Sequence, residues 1–168
     1  EALGSIRYLC LDKTGTITIG NRKATHFYPA NNGDEKHFIK AAVLSSMADE
    51  TPEGKSIIEL AETKNIKKPA LQNDKVKFIQ FTAETRSSGV DLLDGNRIRK
   101  GAFDAIRNVT EKSGNALPAE TENQVVEIAK QGGTPLVVSL NEKVVGVIEL
   151  QDIIKPGIRE RFERLRRM

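Results

Sequence analysis

Apolar and polar positions along this chain repeat on two periods, and the switches between them mark the elements. Ile6 to Leu11 is apolar on both faces, the pattern of a buried parallel strand, and runs into Asp12-Lys13-Thr14-Gly15-Thr16. Lys23 to Tyr28 reads as a strand closed by Pro29, with Asn31-Asn32-Gly33 as a turn. Asp34 then caps a helix with apolar Phe38, Ala41, Ala42, Leu44 and Ala48, which is expected to end near Asp49-Glu50. Thr51 and Pro52 restart a helix as cap and first residue, followed by Ile57, Ile58, Leu60 and Ala61. Val76 to Phe81, Gly89 to Leu93 and Arg97 to Lys100 read as strands, the last two joined at Asp94-Gly95-Asn96. A second helical pair, Phe103 to Lys112 and Glu120 to Gln131, turns at Ser113-Gly114 and stops at Gly132-Gly133. Pro135 to Leu140 and Lys143 to Leu150 form a hairpin about Asn141-Glu142, and a helix departs from Gly157 with Ile158, Phe162 and Leu165 expected inward.

These elements predict an α+β fold: a twisted antiparallel sheet of about six strands flanked by two helical hairpins. The strand before Asp12 and the helix after Gly157 belong to something else, into which the sheet is inserted. The expected division is residues 1–19, 20–150 and 151–168. With 168 residues the chain can bury one good core, or a core and an incomplete neighbour. Its apolar runs are strand-sized, far short of the roughly 20 residues of a membrane-spanning helix. One cysteine, Cys10, excludes a disulfide framework within the chain and suits a reduced setting. The net charge of +3 comes from 26 basic and 23 acidic residues interleaved along the chain, which argues against a nucleic-acid surface. The absence of an initiating methionine and the helical pattern still running at Met168 give both ends the look of cuts.

A buried strand that delivers an aspartate to a glycine turn suits nucleophilic attack on phosphorus. The carboxylate is held still, while backbone N–H groups and a cation neutralise phosphoryl oxygens. Gly15 permits close approach, Thr14 and Thr16 supply hydroxyls and Lys13 supplies charge. A lone Asp-Gly turn is more often an ordinary cap; the whole string Leu9 to Thr18 is far more specific. It resembles the phosphorylation signature of the P-type ATPases.

That resemblance implies that Asp12 accepts the γ-phosphate of ATP, with Mg2+ held by Asp12, by the Thr14 carbonyl and by an acidic loop that is not in this sequence. It also implies a nucleotide-binding domain inserted after the signature, where the sheet and helices are predicted. Ala48 to Ile57, Phe81 to Gly89, Ile98 to Gly101 and Gly133 to Val138 are similar to the Kdp potassium-pump branch of the family. The chain departs from that pattern at Thr85 and Ser87, where the branch usually has Ser and Met. His26 and His37 are not followed by proline, unlike the histidine of the heavy-metal branch, and read as exposed polar residues.

The site residues follow from the resemblance. Phe81 would stack on adenine, worth about 1–3 kcal/mol, against the plainer reading that it plugs the sheet edge. Lys100 reads by itself as a solvated charge at a strand end; the resemblance places it over the other face of adenine, with Gly101 allowing the approach. Asp49 and Glu53 would be capping acids or, by resemblance, nucleotide contacts, Glu53 accepting from the adenine amino group. Thr82, Ala83, Glu84, Thr85, Arg86, Ser87 and Ser88 would form the loop beside ribose and phosphates, Arg86 carrying the charge. So few anchors imply weak binding, on the order of millimolar to high micromolar. The remaining signature loops of a P-type pump and its membrane helices are not in the sequence, so the chain is expected to bind ATP and hardly to hydrolyse it. Implied partners are the other phosphorylation, actuator and membrane domains and the channel-like and accessory subunits of a Kdp pump, on the cytoplasmic face of the membrane. The competing readings are a phosphatase of haloacid-dehalogenase type, which normally has an acid where Thr14 stands, and a regulatory module that only binds nucleotide.

Overall fold

The computed structural model describes residues 10–69 and 76–167. The strands are β1 (Thr18–Pro29), β2 (Val76–Ile79), β3 (Ser87–Leu92), β4 (Arg97–Gly101), β5 (Thr134–Leu140) and β6 (Lys143–Ile154). The helices are α1 (Glu35–Ser46), α2 (Pro52–Thr63), α3 (Phe103–Lys112), α4 (Ala119–Lys130) and α5 (Ile158–Arg167). One sheet holds all six strands in the order β1-β6-β5-β4-β3-β2, antiparallel from β6 through to β2. This is the α+β architecture that the pattern of apolar positions predicts. The chain divides into two compact units, one over Lys23–Gln151 and the other over the residues that flank it.

Within Lys23–Gln151 the strand alternation sends side chains to two cores. Val90, Ile98, Val138 and Ile148 meet Phe38, Ile39, Ala42 and Val43 of α1 and Ile57 and Ala61 of α2. On the other face Val137, Val144 and Val147 meet Ile106 of α3 and Val125 and Ile128 of α4. The β5–β6 register skips one residue, pairing Val138 with Gly146 but Ser139 with Val144, so Val145 is a bulge and the alternation of β6 inverts there. Gly146 is needed beside it: a Cβ would stand 2.7 Å from the Phe38 ring. Glu149, 2% exposed, is satisfied where it is buried: the Tyr28 hydroxyl donates to it at 2.9 Å and Gln151 Nε2 at 2.7 Å, with His26 Nδ1 at 3.1 Å.

The local signals hold at several element ends. Asp34 accepts from the Lys36 N–H, Thr51 accepts from the Gly54 N–H with Pro52 in the first helical turn, and Asn141 and Glu142 both have positive φ, as a tight hairpin needs.

Four expectations are corrected. α1 ends at Ser46, and Met47 to Thr51 is a connection rather than helix. β2 ends at Ile79, so Phe81 lies two residues past the strand. Of the strand expected over Ile6 to Leu11, residues 6–9 lie outside the described residues. Its last two residues, Cys10 and Leu11, are irregular and exposed. Finally, α5 buries no residue and Leu165 is 45% exposed: within the described residues its apolar stripe has nothing to bury against.

Candidate functional site

A cleft of about 590 Å³ opens where the α1–α2 connection faces the ends of β2 and β3. Ser45, Ala48, Asp49, Glu50 and Thr51 form one wall; Ile79, Gln80 and Phe81 form the other, with Ser88 and Gly89 of β3 between them. Phe81 is 63% exposed, so it does not plug the sheet. An aromatic ring left this open on a cleft wall is a ready stacking surface. Gly89 has no room for a side chain, since a Cβ there would overlap the Ile98 carbonyl across the strand pair.

Asp49 is fixed from both sides. Its Oδ1 accepts from the Thr51 N–H at 3.1 Å and the Thr51 hydroxyl at 2.5 Å, and its Oδ2 accepts from Lys100 Nζ at 2.7 Å. Burial raises the Asp49 carboxyl, but the bonds from Lys100 and Thr51 and the Lys100 charge outweigh it and hold the group below the usual carboxylate range. Lys100 is 3% exposed and also donates to the Ser46 hydroxyl at 2.9 Å. Burial lowers its pKa, opposed by the Asp49 bond and by the charges of Asp49 and Glu53. We take the pair as ionised, since each partner supplies the countercharge that the other needs.

The solvated strand-end charge expected at Lys100 is therefore a buried one. The reason is alternation: Ile98 and Lys100 share the face of β4 that packs on α1, while Arg97 and Arg99 take the other. Of the expected site residues, Asp49, Phe81 and Ser88 line the cleft, and Lys100 lies behind Asp49. Glu53 sits half-buried in the first turn of α2, away from the lining. Thr82 to Arg86 form a separate turn braced on itself, with Ser87 opening β3: the Thr82 hydroxyl accepts from the Thr85 N–H at 3.0 Å, and the Arg86 N–H donates to the Thr82 carbonyl at 2.8 Å. Ala83 and Glu84 are its exposed tip. Arg86 has a φ of 48° and an exposed guanidinium 3.6 Å from Asp104. Gly101 gives the Arg86–Ser87 backbone room to run close beside β4, where Ser87 pairs with it. Ser45, Ser46, Thr51, Gln80 and Gly89 were not foreseen; the polar serines at the end of an apolar helix were the available signal.

Asp12 and Thr14 belong to the other unit, where both are exposed. Gly15 turns the chain with a φ of 77°, and the Thr18 N–H returns to the Lys13 carbonyl. Lys13 Nζ lies 2.7 Å from Asp152 Oδ2, with Arg22 Nε 3.5 Å from the other oxygen, and Lys155 Nζ donates to the Gly15 carbonyl. The hydrogen bond from Lys13, with the charges of Lys13 and Arg22, holds the Asp152 carboxyl below its ordinary range. The turn is thus braced while the Asp12 side chain makes no capping bond. Among the described residues no group of three or more His, Cys, Asp or Glu is arranged to hold a metal ion.

The chain belongs to the haloacid dehalogenase-like hydrolase family, whose model matches residues 6–168. It is 52% identical over 169 residues to the potassium-transporting ATPase ATP-binding subunit 2 of Listeria innocua, matching 99% of this chain and 24% of that one. The chain thus spans about a quarter of the length of that curated relative. Among solved structures it resembles a zinc-transporting PIB-type ATPase (TM-score 0.70, 20% identity, 92% of this chain and 23% of that one). It also resembles the N-domain of a copper-transporting P-type ATPase (TM-score 0.55, 12% identity, 77% of this chain and 98% of that one). At these identities the structural matches speak for the fold alone. They agree with the sheet-and-hairpin insert expected from sequence, and the name of the Listeria relative agrees with the Kdp resemblance.

Proposed function

We propose that this chain is the nucleotide-binding module of a P-type ATPase together with the turn that carries its phosphorylated aspartate, and that the parent protein transports potassium. The observation that carries the reading is Phe81, an aromatic ring 63% exposed on the wall of a cleft of about 590 Å³. The Listeria relative, named as an ATP-binding subunit of a potassium-transporting ATPase, supports it from the sequence side. On this reading residues 20–150 hold ATP, and residues 1–19 and 151–168 are parts of a phosphorylation domain. Adenine stacks on Phe81 beside Asp49 and Ser88, with Glu53 and Gly101 near by and the Thr82–Arg86 turn and Ser87 toward ribose and phosphates.

Asp12 is the acceptor: its carboxylate oxygen attacks the γ-phosphorus, the bond to the bridging oxygen breaks and ADP leaves. Asp12 and the Thr14 carbonyl are oxygen donors of the kind Mg2+ takes, and they are too few to close a site alone, so further ligands come from elsewhere in the parent. The parent is placed in the cell membrane with these residues on its cytoplasmic side, working with its own actuator and membrane domains and with Kdp-type channel-like and accessory subunits. No helix among the described residues is long and apolar enough to cross a membrane. The chain alone is expected to bind ATP without steady hydrolysis.

The test is an NMR titration with the non-hydrolysable analogue AMP-PNP. Weak, saturable shifts are expected at Asp49, Phe81 and Ser88, with affinity reduced roughly tenfold to a hundredfold in Phe81→Ala, the loss of one stacked base. Absence of saturable shifts at several millimolar analogue overturns the reading.

A further inference from the structure

We propose that the pocket between α4 and the end of β1 is a second binding site, separate from the cleft, and that it takes an alkylammonium ion: one primary ammonium on a short apolar stem. This goes beyond the nucleotide reading and does not depend on it.

The pocket holds about 230 Å³ and lies on the face of the sheet that α3 and α4 cover, whereas the cleft lies on the side of α1 and α2. Tyr28, Pro29, Ala30 and Val147 line one side of it; Glu120, Thr121 and Gln124 of α4 line the other. Helical spacing brings these three together, since Gln124 stands three residues after Thr121 and four after Glu120. The observation that points to a ligand is Thr121. It is 2% exposed, it lines the pocket, and its hydroxyl has no hydrogen-bond partner among the described residues. A buried hydroxyl left unmet is unfavourable, and a polar group held in the pocket relieves it.

The lining selects the charge of that group. Tyr28 gives its one proton to Glu149 at 2.9 Å, and burial together with the Glu149 carboxylate raises the phenol pKa, so toward a ligand its oxygen only accepts. Glu120 is exposed, accepts only, and enters none of the ion pairs among the described residues. Thr121 and Gln124 each add an oxygen acceptor. No lysine or arginine lines the pocket, so an anion finds no countercharge there and meets Glu120.

A metal ion is a poor match, because one carboxylate faces an apolar wall and, among the described residues, no group of three or more His, Cys, Asp or Glu could hold one. An ammonium group carries donors only, three of them, and an alkyl stem packs on Pro29, Ala30 and Val147 as lysine stems pack on apolar surface. Size agrees: the volume falls below the roughly 300–1,000 Å³ of pockets for drug-sized ligands, leaving room for one side chain or a small amine and not for a nucleotide.

The test is an NMR titration of the 168-residue chain with n-butylammonium chloride, matched against sodium chloride and n-butanol. Saturable shifts are expected at Tyr28, Thr121, Gln124 and Val147, with a dissociation constant on the order of 10 mM, since one exposed charge and a few apolar contacts bind weakly. Neither control is expected to saturate these signals. Glu120→Gln, a surface change that leaves the core alone, is expected to weaken binding about fivefold, the upper range for an exposed ion pair. Thr121→Val is expected to weaken it similarly, while the melting temperature of the free chain stays level or rises, because the unmet hydroxyl is gone. A lower melting temperature would show that Thr121 already has its partner within the fold, and overturns the proposal. So does a lack of saturation by about 100 mM, an equal response to either control, or unchanged binding in Glu120→Gln. The same titration with N-acetyl-lysine methylamide separates the sources: binding of both probes upholds a socket for a lysine side chain of a protein, and binding of butylammonium alone upholds a site for a free amine. AMP-PNP is expected to leave these signals in place, so this site and the nucleotide reading stand or fall separately.

Discussion

Asp49 is a carboxylate whose ionisation is tied to folding. Its folded pKa lies below the unfolded value of about 3.9, so the stability it contributes is fully present above that value. It is lost as pH falls through the lower folded value. Urea melts between about pH 5 and pH 2 are expected to show stability declining across this window. The same series on Lys100→Met is expected to show less of that decline, since Asp49 then lacks the cation that depresses it. Equal slopes in the two chains would mean that Asp49 draws nothing from the pair. At neutral pH, Asp49→Asn leaves the buried Lys100 ammonium without a countercharge, and a loss of about 3 kcal/mol is expected in the same melts.

At the scale of elements, the connection between α1 and α2 does two things at once. Thr51 caps α2 through its hydroxyl and also holds Asp49, so the end of one helix and the wall of the cleft share a residue. Gly54 lies inside the first turn of α2, where alanine on propensity alone would stabilise by about 1 kcal/mol. The contact with Asp49 reverses that sign. Gly54→Ala is expected to destabilise by about 1–3 kcal/mol, as overpacking does, and to weaken AMP-PNP binding with it. A rise in melting temperature would show that Asp49 moves aside freely. The helix caps, the turn glycines and the two hairpins were legible from sequence because each depends on two or three neighbouring residues. Lys100 was not, although Ile98 two positions before it held the clue. Three charges around one isoleucine read as a solvated edge, and only the register against β3 and β5 shows that β4 is covered on the face of α1. Phe81 was ambiguous for a related reason: whether an aromatic just past a strand plugs or lines depends on what stands opposite, here the α1–α2 connection.

At the scale of the whole molecule, legibility divides as the chain itself divides. Among the described residues, every member of both hydrophobic cores lies between Ala24 and Leu150, and there the alternation of apolar positions predicted nearly every element. Outside, the same reasoning expected buried faces at Leu11 and Leu165, which are 39% and 45% exposed, because a periodic pattern says that a face is apolar and not that its partner is at hand. This asymmetry makes a prediction. If folding rests on the two cores, a chain of residues 23–151 alone keeps all of that apolar burial, and the flanks contribute little to its stability. It is expected to melt cooperatively within a few degrees of the 168-residue chain and to bind AMP-PNP with the same affinity, as thermal melts and the NMR titration would show. Loss of folding in the shorter chain would assign a structural role to the braced turn around Gly15. Loss of binding with the fold intact would mean that nucleotide recognition draws on residues outside the cleft.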